Sequence, residues 1–116
     1  MRSILFKAKK LSDGKWVKGS LVKTPFGTFI EWYEDSICNK REVDPSTICQ
    51  FTGLKDKNGT PIYEGDIVIH KDNNAERRGD INWDSKAAAF CFGQGFLVNY
   101  PSENMVVIGN KFDKEK

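Results

Sequence analysis

The segment from Gln50 to Ile69, QFTGLKDKNGTPIYEGDIVI, combines two turn signals with the strongest strand pattern in the chain. DKNG at 56–59 predicts a turn with Gly59 in the left-handed region, because glycine adopts positive φ without a steric penalty. EGD at 64–66 predicts a second turn, and the β-branched run at 67–69 predicts a strand. The segment therefore predicts short strands joined by tight turns.

The rest of the chain also consists of short apolar or β-branched runs separated by turn residues. Predicted strands lie at 4–9, 16–22, 28–33, 47–52, 79–83, 88–92, 96–100 and 105–108. DG at 13–14 and GQG at 93–95 predict hairpin turns, and Gly19 predicts a bulge or a close backbone approach. Charged stretches at 34–44 and 71–78 are interpreted as loops. This pattern is typical of an all-β barrel or sandwich.

No window shows the apolar stripe of an amphipathic helix, so a single turn or short helix, at 36–41 or near Ser102, is the most helical structure that is expected. The 116 residues, 39% hydrophobic and 29% charged, suit one small domain or two subdomains sharing a core. A formal net charge of +2, with lysines spread along the chain, is too small to indicate nucleic-acid binding.

No segment reaches the ~20 apolar residues of a membrane span, and the apolar run near the N-terminus is too short for a signal peptide. A cytoplasmic protein is therefore expected. Cys38, Cys49 and Cys91 form no C-x-x-C pair and lie far from the single histidine, His70, in sequence. Three reduced, mostly buried thiols are predicted, with no metal or other cofactor.

Four patches of the sequence resemble, in the same order, the YopX family of phage and prophage proteins. They are FKAK at 6–9 with GKWVKG at 14–19, VDPST at 43–47, the 50–69 segment, and VIGN at 107–110. The resemblance implies an all-β fold with an N-terminal subdomain of irregular, coiled β-sheet at residues 1–50 and a C-terminal SH3-like barrel at 51–112. A charged tail follows at 113–116, and GDIV at 65–68 would open the barrel.

The resemblance also implies a phage or prophage origin and a bacterial host cell, and it supplies no catalytic residues. The residues predicted to matter are therefore structural: Gly53, Asp56, Asn58, Gly59, Tyr63, Glu64, Gly65, Asp66 and Gly109. Asp66 is predicted to cap backbone N–H groups at its turn. The alternative makes Glu64 and Asp66 a general acid and base, or Mg²⁺ ligands, although no third acid or partner histidine accompanies them.

Other chemically suggestive residues also have simpler interpretations. His70 is predicted to be an exposed histidine at a strand end rather than a general base, and Cys91, between two phenylalanines, is predicted to face the core or an interface. RGD at 78–80 is interpreted as a turn entering a strand. GQG at 93–95 lacks the rest of a phosphate-loop motif.

Aromatic and basic side chains form the strongest surface candidate, because single-stranded nucleic acid binds to aromatics beside positive charge. They are Trp16, Lys18, Lys23, Trp32, Tyr33, Arg77, Arg78 and Trp83, and the simpler interpretation places most of the aromatics in the core.

Three functions follow from these observations. The first is a non-enzymatic protein-binding or self-assembling module, since small all-β proteins have edge strands open to pairing. The second is nucleic-acid binding through the barrel, with Arg77, Arg78 and Trp83 as contacts. The third is an enzyme resting on Glu64, Asp66 and His70.

Overall fold

The computed structural model describes residues 4–73 and 75–113, and in this part of the chain it is all-β. The strands are β1 Phe6–Lys9, β2 Trp16–Thr24, β3 Gly27–Glu34, β4 Ile37–Glu42, β5 Cys49–Lys55, β6 Pro61–Tyr63, β7 Asp66–Lys71, β8 Glu76–Asp84, β9 Ala89–Phe92, β10 Gly95–Phe96 and β11 Met105–Asn110. Single 3₁₀ turns occupy Pro45–Thr47, Leu97–Asn99 and Ser102–Asn104. The all-β prediction is confirmed.

The chain divides into two compact units, Met1–Phe51 and Thr52–Lys116. Most of the charged tail predicted at 113–116 lies outside the described residues. In the first unit, antiparallel strands follow the order β4-β3-β2-β1-β5. Ala8, Ile30 and Val43 are almost fully buried at its centre.

Gly19 in β2 confirms the predicted close approach. A Cβ atom at this position would collide with the backbone carbonyl of Glu31 on β3. The φ angle of +158° is also one that residues with a side chain rarely adopt, so glycine is required here by both space and backbone conformation.

The predicted loop at 34–44 is wrong, as is the helical turn at 36–41. Residues 37–42 form β4, which pairs with β3 through a tight turn at Asp35 and Ser36, both with positive φ. The sequence pattern did not predict this strand because β4 is an edge strand with few buried side chains. Such a strand shows no alternation of apolar and polar residues. Glu31 lies opposite Lys40 in the pair, so the charges that suggested a loop are part of a strand.

In the second unit, antiparallel strands follow the order β10-β9-β8-β7-β11, so the last strand returns beside the first strand of this sheet. The short β6 is hydrogen-bonded to β5. The core consists of Ile62, Val68, Ile81, Phe92, Leu97 and Met105.

Two further predictions in this unit need correction. The predicted loop at 71–78 is the end of a hairpin, because β7 runs to Lys71 and β8 begins at Glu76. These two residues are register partners and form an ion pair of 3.5 Å. The predicted strand at 96–100 ends at Phe96 and continues as a 3₁₀ turn, which buries Leu97 before the chain reaches Pro101.

The turn predictions in the central segment are confirmed. Gly59 has φ +81° and Gly65 has φ +89°, both in the left-handed region. The single turn expected near Ser102 is also present, as the 3₁₀ turn at Ser102–Asn104. These turns fix the direction in which Asp56 and Asp66 present their carboxylates.

Candidate functional site

Asp56 is buried at the first turn of the central segment and accepts three backbone hydrogen bonds. Its Oδ1 accepts from the amides of Asn58 and Thr60, both at 2.9 Å. Its Oδ2 accepts from the amide of Val107 on β11, at 3.0 Å. One side chain therefore closes the turn and attaches β11 to it.

The pKa of Asp56 reflects opposing effects. Burial raises the pKa, while hydrogen bonds from the amides of Val107, Thr60 and Asn58 lower it. The hydrogen bonds outweigh the burial, so the pKa of Asp56 lies below its ordinary value. The carboxylate is a structural anion and stays ionised at neutral pH.

Asp66 is almost completely buried at the second turn, and both of its oxygens have donors. The amide of Tyr63 donates to Oδ2 at 2.8 Å, and the side-chain amide of Asn110 donates to Oδ1 at 3.0 Å. The predicted capping of backbone N–H groups is thus present at Tyr63. The same turn is also held by the Gly65 carbonyl, which accepts from the amide of Lys111 at 2.9 Å.

The other motif residues surround these two acids. Tyr63 is buried, and its pKa is raised by burial and then by the charge of Asp66. Glu64 is half-buried. Gly53 has φ +91°, and Gly109 lies at a register shift in β11.

His70 contradicts the sequence prediction, because it is buried rather than exposed. It is 4% exposed on β7, with its ring 5.3 Å from Tyr100 and 6.2 Å from Phe92. Its two ring nitrogens are the buried side-chain atoms without a hydrogen-bond partner in the described part of the chain. The prediction failed because β7 continues through His70 instead of ending before it.

Two of the three residues of the enzyme alternative, Asp66 and His70, have structural contacts. Both oxygens of Asp66 accept hydrogen bonds from the protein, and His70 is enclosed by aromatic rings. Among residues 4–73 and 75–113, no group of three or more His, Cys, Asp or Glu side chains could hold a metal ion. None of the three cysteines is in a disulfide; Cys49 and Cys91 are buried, as predicted for most of them, and Cys38 is exposed.

The three residues predicted to contact nucleic acid are separated along β8. Arg77 and Arg78 lie near the start of β8, and Trp83 lies six residues further along, roughly 20 Å of extended strand. Trp83 packs edge-on against Phe90, with ring centroids 5.0 Å apart. The two arginines instead lie beside a cleft that is also lined by Phe92 and Tyr100.

A cleft of about 350 Å³ lies beside the arginines. We call it the arginine cleft; it is lined by Arg77, Arg78, Gly79, Phe92, Gly93, Gln94, Gly95 and Tyr100. Tyr100, which the sequence did not single out, forms one wall.

A second cavity, the apolar groove, has a volume of about 500 Å³. It is lined by Thr52, Leu54, Ala87, Ala89, Phe90, Phe96, Leu97 and Val98, none of which is charged. Val98 is 88% exposed, and Phe96 and Leu54 are also exposed. Sequence patterns missed the groove because its residues come from separate elements and satisfy no motif.

The aromatic and basic residues of the first unit contact one another locally. The ammonium groups of Lys7 and Lys9 lie 4.8 and 5.4 Å from the centre of a Trp16 ring. Trp32 is half-buried against the core, whereas Tyr33 is exposed. The prediction that most of these aromatics belong to the core is therefore wrong: Trp32 packs against the core, whereas Tyr33 and Trp83 are exposed.

Phe26 is the most exposed large apolar side chain of the first unit, at 91% exposure. It lies between β2 and β3, where the Thr24 hydroxyl accepts from the Phe26 amide and donates to the Gly27 carbonyl, both at 3.1 Å. A rigid hairpin end thus presents an aromatic ring to solvent.

The fold and the two cavities define a small two-unit all-β protein with both cavities on its second unit. A family model described as "YopX protein" matches residues 5–115, nearly the whole chain. The chain therefore belongs to the YopX family, and the resemblance seen in the sequence is confirmed.

A solved structure supports the same architecture. Protein EF1440 from Enterococcus faecalis matches with a TM-score of 0.59 and 20% identity, over 95% of this chain and 94% of that one. At this identity the likeness establishes the fold. Comparison with curated proteins gave no match. Among the described residues, no helix has the length and apolar character to cross a membrane.

Proposed function

We propose that this protein is a non-enzymatic, self-assembling binding module in which Phe26 of one copy occupies the apolar groove of another. The observation that carries the proposal is that one chain exposes both an isolated aromatic ring and an uncharged groove. Exposed apolar surface of this kind is typical of interaction sites.

The groove favours an apolar occupant. Because none of its lining residues is charged, a charged occupant would be desolvated without compensation. Phe26 presents a ring without neighbouring charge on the turn itself, since Pro25 precedes it and Gly27 follows it. Such a ring can enter a groove without displacing an ion pair.

The expected strength is modest. Burying one Phe side chain contributes roughly 1.5–3 kcal/mol, whereas association costs at least about 4 kcal/mol in lost freedom. Burial of Val98, Phe96 and Leu54 in the same contact adds to the favourable side. We therefore expect assembly that depends on protein concentration rather than a permanent oligomer.

The proposed contact joins two different surfaces, so it is heterologous. Such contacts form closed rings when the rotation between copies closes, and open chains when it does not. The mass distribution in solution therefore reports directly on the geometry of the contact.

Light scattering coupled to size exclusion tests the proposal across a range of concentrations. The average mass of the wild-type protein should rise with concentration, and Phe26→Ser and Val98→Asp should each keep the protein monomeric. Leu11→Ser is the matched control, because Leu11 is also exposed, at 57%, but lies away from both surfaces in sequence and contributes nothing to the groove.

Mixing the two variants gives a sharper test. Phe26→Ser retains an intact groove, and Val98→Asp retains an intact Phe26, so an equimolar mixture should form dimers and nothing larger. A wild-type protein that stays monomeric would overturn the proposal. If Val98→Asp loses assembly while Phe26→Ser retains it, Phe26 is not the occupant of the groove. That result would indicate groove-to-groove pairing or a different protein partner.

The broader setting is part of the same proposal. We place the protein in the cytoplasm of a bacterium that carries the phage or prophage, as the family resemblance suggests. The second unit is proposed to be an SH3-like barrel. Its support is the return of β11 beside β7 after a 3₁₀ turn.

A further inference from the structure

The arginine cleft is chemically unlike the apolar groove and shares no lining residue with it. We infer that the arginine cleft binds a nucleotide, with the phosphate held by Arg77 and the base placed against Tyr100. This inference does not depend on self-assembly.

The cleft has uncompensated positive charge. Arg77 and Arg78 are both exposed, and within residues 4–73 and 75–113 neither has a carboxylate within ion-pair distance. No lining residue is acidic. Guanidinium groups bind phosphate through paired N–H donors, so the exposed guanidinium of Arg77 at this cleft favours a phosphate-bearing ligand.

The aromatic wall is fixed before any ligand arrives. The Tyr100 ring meets Phe92 edge-on at 5.0 Å and His70 edge-on at 5.3 Å. Its other support is Gly95, where a Cβ atom would come within 3.0 Å of the Tyr100 hydroxyl. A ring held in this way offers a stacking surface without a cost for ordering it.

The sheet register brings the arginine and the aromatic cluster to the same face. Arg77 is the direct partner of His70, so their side chains project from the same side of the β7–β8 pair. His70 is also the buried group whose nitrogens lack partners in the described chain. The two His70 nitrogens thus lie behind the Tyr100 wall of the cleft.

The turn at 93–95 supplies polar groups next to the charge. Gln94 is exposed at this turn and carries both donors and acceptors, which suits the edge of a base. The glycines on either side keep the turn free of further side chains. With a volume of about 350 Å³, the cleft is at the small end of ligand sites and suits a single nucleotide.

Calorimetric titration with AMP, adenosine, inorganic phosphate and single-stranded oligo-dA tests the inference. We expect AMP to bind and adenosine to bind much more weakly. Arg77→Gln should weaken AMP by about tenfold, the effect of losing a charge-assisted hydrogen bond. Arg41→Gln is the matched control, because it removes the same charge from an exposed position on β4 and should leave binding unchanged.

A second variant separates the base from the phosphate. Tyr100→Leu should weaken AMP while leaving the affinity for inorganic phosphate unchanged, and a thermal melt establishes that the variant is folded. If it is not, Gln94→Ala at the exposed turn takes its place. The affinities for AMP and oligo-dA then identify the source of the nucleotide, and either order supports the cleft. Tighter binding of AMP indicates a free mononucleotide. Tighter, salt-sensitive binding of oligo-dA indicates a nucleic-acid strand.

Three results would overturn the inference. The first is the absence of binding for all four probes. The second is equal weakening by Arg77→Gln and Arg41→Gln, which would assign the binding to general surface charge. The third is adenosine binding as tightly as AMP, which would remove the arginines from recognition.

Discussion

At the scale of single residues, Asp56 and Asp66 are buried carboxylates that organise backbone. Asp56 accepts from three amides, and Asp66 accepts from Tyr63 and Asn110. Hydrogen bonds to charged acceptors are stronger than those between neutral groups. These two acids therefore attach the turns of the central segment to β11.

Unlike Asp56 and Asp66, His70 is a buried polar residue whose replacement is predicted not to lower stability. Because its buried nitrogens have no partners within the described residues, replacing it with an apolar ring removes a desolvation penalty. His70→Phe should leave the free energy of unfolding unchanged or raise it by about 1 kcal/mol. The urea midpoint measures this effect.

The control for this prediction is His70→Asn, which keeps a polar group but removes the ring contacts with Tyr100 and Phe92. It should be clearly less stable than His70→Phe. A large loss of stability in His70→Phe would show instead that the imidazole has a partner in solution, such as a buried water molecule.

At the scale of elements, the turn at 56–59 depends on one backbone conformation. Gly59 has φ +81°, and nothing lies within 4 Å of where its Cβ atom would be. Gly59→Val should therefore lower the free energy of unfolding by about 1–2 kcal/mol through backbone strain alone. Chemical denaturation measures the loss.

Gly59→Asn is the matched control, since asparagine tolerates the left-handed region better than other residues. It should lose much less stability than Gly59→Val. Equal losses of stability in the two variants would indicate a steric clash of the new side chain, rather than backbone strain at positive φ, as the cause.

Predictions from sequence succeeded where local chemistry fixes the backbone. Gly59, Gly65 and the β-branched run that follows were placed correctly, since their turn and strand preferences agree with the fold. Exposed stretches of strand were missed: the edge strand β4 is nearly all exposed, and the charged start of β8 resembles a loop. Alternation, the signal used to find strands, exists only where one face is buried.

At the scale of the whole molecule, the family and the all-β class were predictable, whereas the candidate sites were not. Arg77 and Arg78 were identified, but their neighbour Tyr100 comes from a turn that the sequence presented as a strand. Trp83 was grouped with the arginines by composition, although it lies at the other end of β8. Sites assembled across a sheet depend on register, which the sequence did not provide.

Acid stability follows from several carboxylates together. Hydrogen bonds from the Lys15 amide and the Lys10 side chain lower the pKa of Asp13. Hydrogen bonds from Ser46 lower the pKa of Asp44, and the amide hydrogen bonds to Asp56 lower its pKa despite its burial. A carboxylate with a lowered folded pKa stabilises the protein fully above its unfolded pKa, which is about 3.9 for Asp. This stabilisation is lost as the pH falls through the folded pKa.

We therefore expect the melting temperature to be steady from neutral pH to about pH 5 and to fall below about pH 4. Thermal melts across this range measure the effect. Asp56→Asn should melt lower at neutral pH and lose less on acidification, because one of the titrating groups is gone. A variant that parallels the wild-type curve at every pH would exclude Asp56 from the acid response.

The hydrogen bonds of Asp56 and Asp66 also constrain the order in which the protein can be completed during synthesis. Asp56 bonds to Val107 and Asp66 to Asn110, separated by 51 and 44 residues. A nascent chain can close both turns soon after they leave the ribosome, but each buried carboxylate keeps an oxygen without its donor until β11 emerges. The second unit therefore reaches its final form only after β11 has been synthesised, and a ribosome that stalls before Val107 leaves the turns at 56–59 and 64–66 without these bonds to β11.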